Sequence, residues 1–369
     1  MDRLFPFGFP GATAFYLGLY VLTLVVHVLF MNYVLAGVGY LAVTAIGRRR
    51  DGDGLESVSI RSVLTDWMPF ATSAAITAGV APLLFVQILY KKNFYTANLL
   101  LFHRWMAILP LLIVGFYLLY LLKTDWIRRR SRTLLAIISI GALVCFAFTG
   151  LSWTENHLLS TDKGSWPGLY ESGSMVYSHP QLLPRLGMWA VGAIPTMWVL
   201  VAWQLLVAQR RGRVVESGRT KHLAVAALTG ILLTGACAGL YWLRMSEPAR
   251  EAVTGPLAGP YFIAAIAGLA IQVIAWVSQA RRNDFQIGVL LALSAGLLVT
   301  ITGMTVVREA IRLAAVDLNP LYAQHADAAA KGGLIVFSVF LLVNVGLMGW
   351  CLRIVSRNGR QALHSRNSA

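Results

Sequence analysis

Three ionisable side chains lie inside or at the ends of long apolar segments of the chain. His27 interrupts "LTLVVHVLFMNYVLAG" (22–37), His103 lies in "LLLFHRWMAILP", and Glu309 lies in "GMTVVREAIRLAA". Ionisable groups are costly within a bilayer, so they are candidates for function. An imidazole in such a helix either donates a hydrogen bond to a neighbouring helix or binds a metal or heme iron. Both uses are open from the residue alone.

The surroundings of these residues favour heme. Leu24, Phe30 and Met31 lie one helical turn from His27 and form an apolar wall that suits a flat macrocycle. Arginines near the ends of the segments would pair with heme propionates. The candidate site has three possible iron ligands and three cations: His27, His103 and Glu309, with Arg104, Arg308 and Arg312.

The elements that must position these residues are membrane-spanning helices. The chain has 369 residues, of which 57% are hydrophobic and 13% charged, and its apolar segments have about the 20 residues that cross a bilayer as a helix. Strand-period alternation is absent. We therefore predict an all-α, polytopic helical bundle that forms one membrane domain over 1–369. Nine spans are predicted: 14–45, 67–90, 100–122, 133–152, 184–208, 222–243, 260–280, 286–307 and 333–355.

The net charge of +15 is distributed as in an inner-membrane protein. Most basic residues fall at alternate ends of the spans, which by the positive-inside rule places the N-terminus outside and the C-terminus in the cytoplasm of a bacterial inner membrane. The charge therefore reflects topology and contact with anionic lipid, and nucleic-acid binding is excluded. The basic clusters are Arg48–Arg50, Lys123 with Arg128, Arg129, Arg130 and Arg132, then Arg210, Arg211 and Arg213, Arg281 with Arg282, and the C-terminal tail.

The remaining histidines and the cysteines are expected to be ordinary. The segments 152–184 and 308–333 are predicted outer loops, the second continuing the eighth span as a helix until Asn319. His157 and His179 are expected to be solvated loop residues, and His222, His325 and His364 interfacial or solvent-exposed. Cys145, Cys237 and Cys351 are expected to pack within the bundle, and without a CxxCH motif the chain attaches no heme c itself.

Three segments carry a resemblance to a known family. "HVLFMNYVLAGVGYLA", which begins at His27, is similar to a first-helix segment in which a histidine binds a heme near the outer face. "ITAGVAPLLFVQILYKKNFY" (76–95) resembles the second helix and its aromatic loop, and Glu309-x-x-Arg312 resembles the surroundings of a heme-ligating glutamate. With nine spans and an outside N-terminus, these features resemble the large subunit of the cytochrome bd oxidase superfamily. The resemblance implies that His27 and Glu309 bind heme b, and that His103 binds a second heme or replaces a family carboxylate.

The chain also departs from that family. "REAIRLAAV" keeps the glutamate and arginine without the neighbouring Gly, Gln, Pro and Trp, and Gly187 or Met188 takes the place of a low-spin heme histidine. The seventh span lacks an Arg-x-Met sequence, and the connection before it is too short for a quinol loop. The resemblance therefore implies a divergent member without the quinol-facing heme.

These features predict a heme b-binding membrane subunit, with one or two hemes, in a multi-subunit respiratory electron-transfer complex. Electrons would pass at the outer face, from a c-type cytochrome or another redox subunit. Two alternatives stay open. One is a divergent bd-type terminal oxidase, which the scarcity of carboxylates deep in the spans disfavours. The other is a heme-free anchor for soluble redox subunits, in which His27 is a packed hydrogen-bond donor.

Overall fold

The computed structural model describes residues 8–47, 58–124, 127, 132–215, 218–333, 335–343, 345–347, 350 and 353. Eight of its helices are long and apolar enough to cross a bilayer, and their length and composition are those of a multi-pass membrane bundle. These helices are α1 (Gly11–Ile46), α2 (Ile60–Leu89), α4 (Phe102–Lys123), α5 (Arg132–Thr161), α7 (Leu182–Arg210), α8 (Arg219–Arg244), α10 (Gly259–Ala280) and α11 (Ile287–Ala315). Four shorter helices are α3 (Lys91–Leu100), α6 (Trp166–Ser172), α9 (Glu247–Thr254) and α12 (Tyr322–Ala330).

The helix boundaries follow local sequence signals. The side chain of Ser59 caps α2 by accepting a hydrogen bond from the backbone N–H of Ser62. Prolines open α9 and α10 near their first turns, where a missing N–H costs nothing. Large apolar side chains remain exposed along the long helices, as expected for surfaces that face lipid tails; examples are Leu109, Leu232 and Ile274.

The described chain forms two compact units. One contains the described residues of Tyr16–Asp317, and the other combines residues 8–15 with the described residues that follow Asp317. In the smaller unit, Thr13 and His325 share a 2.8 Å hydrogen bond between the threonine hydroxyl and Nδ1. His325 is fully buried, so the expectation that it is interfacial or solvent-exposed is wrong. Its ring is enclosed because α12 turns back toward residues at the start of α1 within that unit.

The ninth predicted span lies in the smaller unit and is only partly described. The segments Asn319–Ala330 and Ile335–Leu347 form a pair bent by 60° that qualifies as one broken span. The described helices therefore include eight that are long and apolar enough to cross, or nine if this pair is one span. Several residues of the predicted basic clusters, with one cysteine and one histidine, lie outside the described part of the chain: Arg48–Arg50, Arg128, Arg129, Arg130, Cys351, His364 and the tail residues Arg357, Arg360 and Arg366.

Glycines permit close helix contacts in the larger unit. Between α10 and α11, a Cβ at Gly268 would lie 2.6 Å from the carbonyl oxygen of Gly296, so only glycine permits this approach. Cys145 and Cys237 are free thiols that lie against Gly115 and Gly187 of adjacent helices, in agreement with a packing role.

Two predicted spans differ from the observed helices by several residues: α2 begins at Ile60 and not at residue 67, and α5 does not end at residue 152. Helix α5 continues through Thr161, whereas the sequence predicted a loop from residue 152. The polar stretch from Thr154 to Ser160 is therefore helical and buried, because α3 packs against it: Asn93 donates a 2.8 Å hydrogen bond to the Ser160 carbonyl, and Asn156 donates to Asn98. Helix α11 does continue to Ala315, close to the predicted end before Asn319.

Candidate functional site

A group of buried charged and aromatic side chains lies where α5 ends and α7 begins, here called the site end of the bundle. We refer to it as the arginine cluster. Its members come from five long helices and from the residue that follows α2: Tyr20, Tyr90, His157, Arg185, Tyr241, Arg308, Glu309 and Arg312.

Glu309 is the only carboxylate named in this cluster, and it has two partners. The Tyr90 hydroxyl donates to its Oε1, and Nη1 of Arg312 lies 3.5 Å from Oε2. All three side chains are buried, and Arg312 also lies 4.7 Å from the centre of the Tyr90 ring. A carboxylate oxygen only accepts, so the Tyr90 hydroxyl keeps its proton and is the hydrogen-bond donor of this pair.

Two neutral acceptors face the arginines. Arg312 donates to Nδ1 of His157, and Arg308 lies 3.4 Å from the same nitrogen. The Tyr20 hydroxyl lies 3.2 Å from Arg308 and 3.5 Å from Arg312. A ring nitrogen that accepts from a guanidinium carries no proton, so His157 is neutral here. His157 is 3% exposed, and the expectation of a solvated loop histidine is wrong because α5 extends beyond it.

Arg185 adds a third cation to the cluster and lies against Tyr241. Arg185 is 6% exposed, and its guanidinium carbon lies 5.7 Å from the centre of the Tyr241 ring. Within the described residues, its guanidinium donates no hydrogen bond, and the buried Tyr241 hydroxyl has no partner either. With Arg308, Arg312 and one carboxylate, the cluster carries an excess of two positive charges.

His27 lies on α1 with its ring held by α2. Its Nδ1 is 2.9 Å from the carbonyl oxygen of Ala75, and because a carbonyl only accepts, Nδ1 carries the proton. The imidazole occupies the space that a side chain at Gly79 would fill, since a Cβ there would lie 2.9 Å from both Cε1 and Nδ1. The neutral ring therefore keeps a lone pair on Nε2. Arg308 lies within electrostatic range of this ring.

His103 and Arg104 lie apart from these contacts. His103 is exposed, and its ring meets the ring of Phe102. Arg104 donates to the buried carboxylate of Glu155 and, at 3.0 Å, to the carbonyl oxygen of Met175. Of the six residues predicted from the sequence, the structure therefore joins Arg308, Glu309 and Arg312 in one cluster with His27 near Arg308, while His103 and Arg104 have other neighbours.

The loop after α5 is held by a second, smaller set of polar contacts. Tyr177 donates a 2.9 Å hydrogen bond to Asp162, and Ser165 donates to the same carboxylate. Burial raises the pKa of Asp162, but these hydrogen bonds outweigh it and leave the pKa below its ordinary value. Burial lowers the pKa of His179, whose ring stacks on Tyr177. This loop is thus anchored to the end of α5, next to the arginine cluster.

Sequence reasoning missed five members of the cluster, for two reasons. Arg185 stands in "LLPRLG" at the start of a predicted span, where a count of all ionisable residues, cations included, would have found it. The other four are His157, expected in a loop, and the three tyrosines, which hydropathy treats as ordinary interfacial residues.

Neither a metal-ion site nor a known relative identifies the function of this cluster. Among the described residues, no group of three or more His, Cys, Asp or Glu side chains is arranged to hold a metal ion. Comparisons with protein-family models, curated proteins and solved structures found no match. The proposals below therefore rest on the residues of this chain.

Proposed function

We propose that this chain is a heme b-binding membrane subunit of a respiratory electron-transfer complex in the bacterial inner membrane. His27 is the proposed iron ligand, and the resemblance to the large subunit of the cytochrome bd oxidase superfamily supports this assignment. A heme supplies one-electron redox chemistry, and the protein determines its position and electrostatic environment.

The observation that carries the proposal is the hydrogen bond from His27 to Ala75. Histidines that bind metals usually donate their other ring N–H to a carbonyl or carboxylate, which fixes the tautomer and the ring orientation. The 2.9 Å contact of Nδ1 with a backbone carbonyl does this and leaves Nε2 as the nitrogen that can bind iron. Gly79 adds the space for the ring.

The chemistry of the cluster suits a heme as well. Heme b carries two propionates, and the cluster has an excess of two positive charges near Arg308. Glu309 keeps one oxygen, Oε2, that accepts no hydrogen bond, although Arg312 lies 3.5 Å away. We therefore keep Glu309 as the second candidate iron ligand. The exposed His103 has no part in the proposed site.

The proposed direction of electron transfer follows from the charge distribution. By the positive-inside rule, the site end faces outward, so a c-type cytochrome or another redox subunit would deliver electrons there. The ordered loop around Asp162, with exposed Tyr170 and Val176 beside it, offers a surface outside the spans. Without deep carboxylates along the helices, proton delivery for oxygen reduction lacks an evident path.

The test is a reduced-minus-oxidised optical spectrum of the purified protein, with heme counted as the pyridine hemochrome. We expect a b-type spectrum with one or two hemes per chain. His27→Ala should lose the signal of one heme while the protein remains folded. Gly79→Ala should weaken the same signal with His27 still present, because the new methyl displaces the imidazole.

The matched control is His222→Ala, which removes an exposed histidine and should leave the spectrum unchanged. Full heme content in His27→Ala would show that the ligand assignment is wrong. Absence of heme from the wild-type protein would contradict the proposal as a whole and favour the heme-free anchor.

A further inference from the structure

The strongest unexplained feature of the cluster is the pair of donors at Arg185 and Tyr241. A guanidinium has five N–H donors, and buried donors in proteins are almost always satisfied. The Arg185 residue is nevertheless 94% buried, and its guanidinium donates no hydrogen bond to any described residue. The hydroxyl of the adjacent Tyr241 is buried and unpartnered too. Two orphan donors, from α7 and α8, therefore lie side by side.

The charges around this pair have the same sign. Arg308 and Arg312 both act electrostatically on Arg185, and the only carboxylate of the cluster is already held by Tyr90 and Arg312. A buried charge without a counterion is strongly destabilising. The arrangement is therefore unfavourable for the protein alone and favourable for a complex with an anion.

We propose that Arg185 and Tyr241 bind a carboxylate, with Arg308 and Arg312 supplying additional positive charge. The planar fork of arginine matches the two oxygens of a carboxylate, and the tyrosine hydroxyl adds a third donor. Next to Tyr241 lies an apolar group that includes Met188, Trp242 and Phe262, which suits a ligand with an apolar body. The carboxylate is either a propionate of a tetrapyrrole or a free small carboxylate. The site is thus independent of whether His27 binds iron.

The experiment uses the full chain purified from heme-limited cells. It is titrated with metal-free protoporphyrin, with the dimethyl ester of protoporphyrin, and with succinate that replaces chloride at constant ionic strength. Binding is followed by quenching of tryptophan fluorescence and by the unfolding midpoint. We expect the wild-type protein to bind protoporphyrin or succinate, and Arg185→Met and Tyr241→Phe to weaken that binding by about tenfold, the effect of one charge-assisted hydrogen bond.

The variants and probes separate the outcomes. Arg250→Met, which removes an exposed arginine of α9, should bind like the wild type, and Arg185→Lys, which keeps the charge without the fork, should fall between. Preference for the free acid over its ester identifies a propionate, whereas binding of succinate alone identifies a free carboxylate.

Either of two results would overturn the inference. If Arg185→Met binds all three probes like the wild type and raises the unfolding midpoint equally in chloride and succinate, Arg185 is an unliganded buried charge. Heme content of protein from ordinary cells is measured separately. If the protein contains heme but neither prefers the free acid over the ester nor responds to succinate, the carboxylate site is rejected and the proposed function is not. If it binds a carboxylate but contains no heme, the proposed function is rejected and the carboxylate site is not.

Discussion

The bundle buries polar groups in two regions that differ in kind. Between the helices away from the cluster, the hydrogen bonds join neutral side chains: Tyr33 donates to Gln204 at 3.1 Å, Trp203 to Ser294 at 2.9 Å, and Gln272 to Thr300 at 3.0 Å. At the site end, the groups are charged and unequal in number. Neutral interhelical hydrogen bonds contribute little each, about 0.6 kcal/mol, and fix how the helices meet. The charged region does more than pack helices, since pairing alone would not require three arginines.

The largest expected effect comes from Glu309→Gln. This isosteric change removes the one carboxylate of the arginine cluster, so the buried Arg312 loses its anionic partner. Breaking such a pair costs about 3–5 kcal/mol, which should appear as a lower free energy of unfolding in detergent. The optical spectrum should change in spin state or potential more than in heme count. Glu247→Gln, at an exposed position, is the matched control. A loss below about 1 kcal/mol would mean that the pair behaves like a surface ion pair.

A smaller effect is expected at the neutral α10–α11 interface. In Gly268→Ala the new Cβ would lie 2.6 Å from the Gly296 carbonyl and 3.0 Å from the backbone nitrogen of Thr300. Neither backbone atom moves independently of its helix, so the helices must separate. Overpacking of this kind costs about 1–3 kcal/mol, measured by the same unfolding assay, and should leave the heme spectrum unchanged.

The control for that substitution is Gly235→Ala on α8, where an added Cβ meets nothing within 4 Å. It should be neutral or slightly stabilising, because alanine is the better helix former. If the two variants lose equal stability, the close approach at Gly268 is not what holds α10 and α11 together.

The smallest effect is expected for Tyr33→Phe, which removes one neutral donor and leaves Gln204 in place. The expected loss is about 0.6 kcal/mol, with no change in heme content. Tyr117→Phe, on an exposed face of α4, should cost nothing measurable. A loss at Tyr33 as large as that at Glu309 would remove the distinction between the two regions.

The long helices could be predicted from hydropathy alone because each span carries its own signal over about 20 residues. The pairing of Glu309 with Arg312 was also accessible, since residues three apart share a helix face. The bond from Tyr90 to Glu309 was not, because 219 positions separate them and no local pattern records such a contact. The end of α5 was mispredicted for a related reason: polar residues such as Asn156 resemble a loop until α3 supplies their partners.

The order in which the cluster's residues occur along the chain has a consequence for biogenesis. Tyr20 and Arg312 are 292 positions apart, and synthesis proceeds from the N-terminus. The first helix therefore enters the membrane long before the arginines that Tyr20 contacts have been synthesised. Any ligand that needs both must bind after translation is nearly finished. A prematurely terminated chain would contain His27 of α1 but lack the arginines of α11 that would help to hold the ligand.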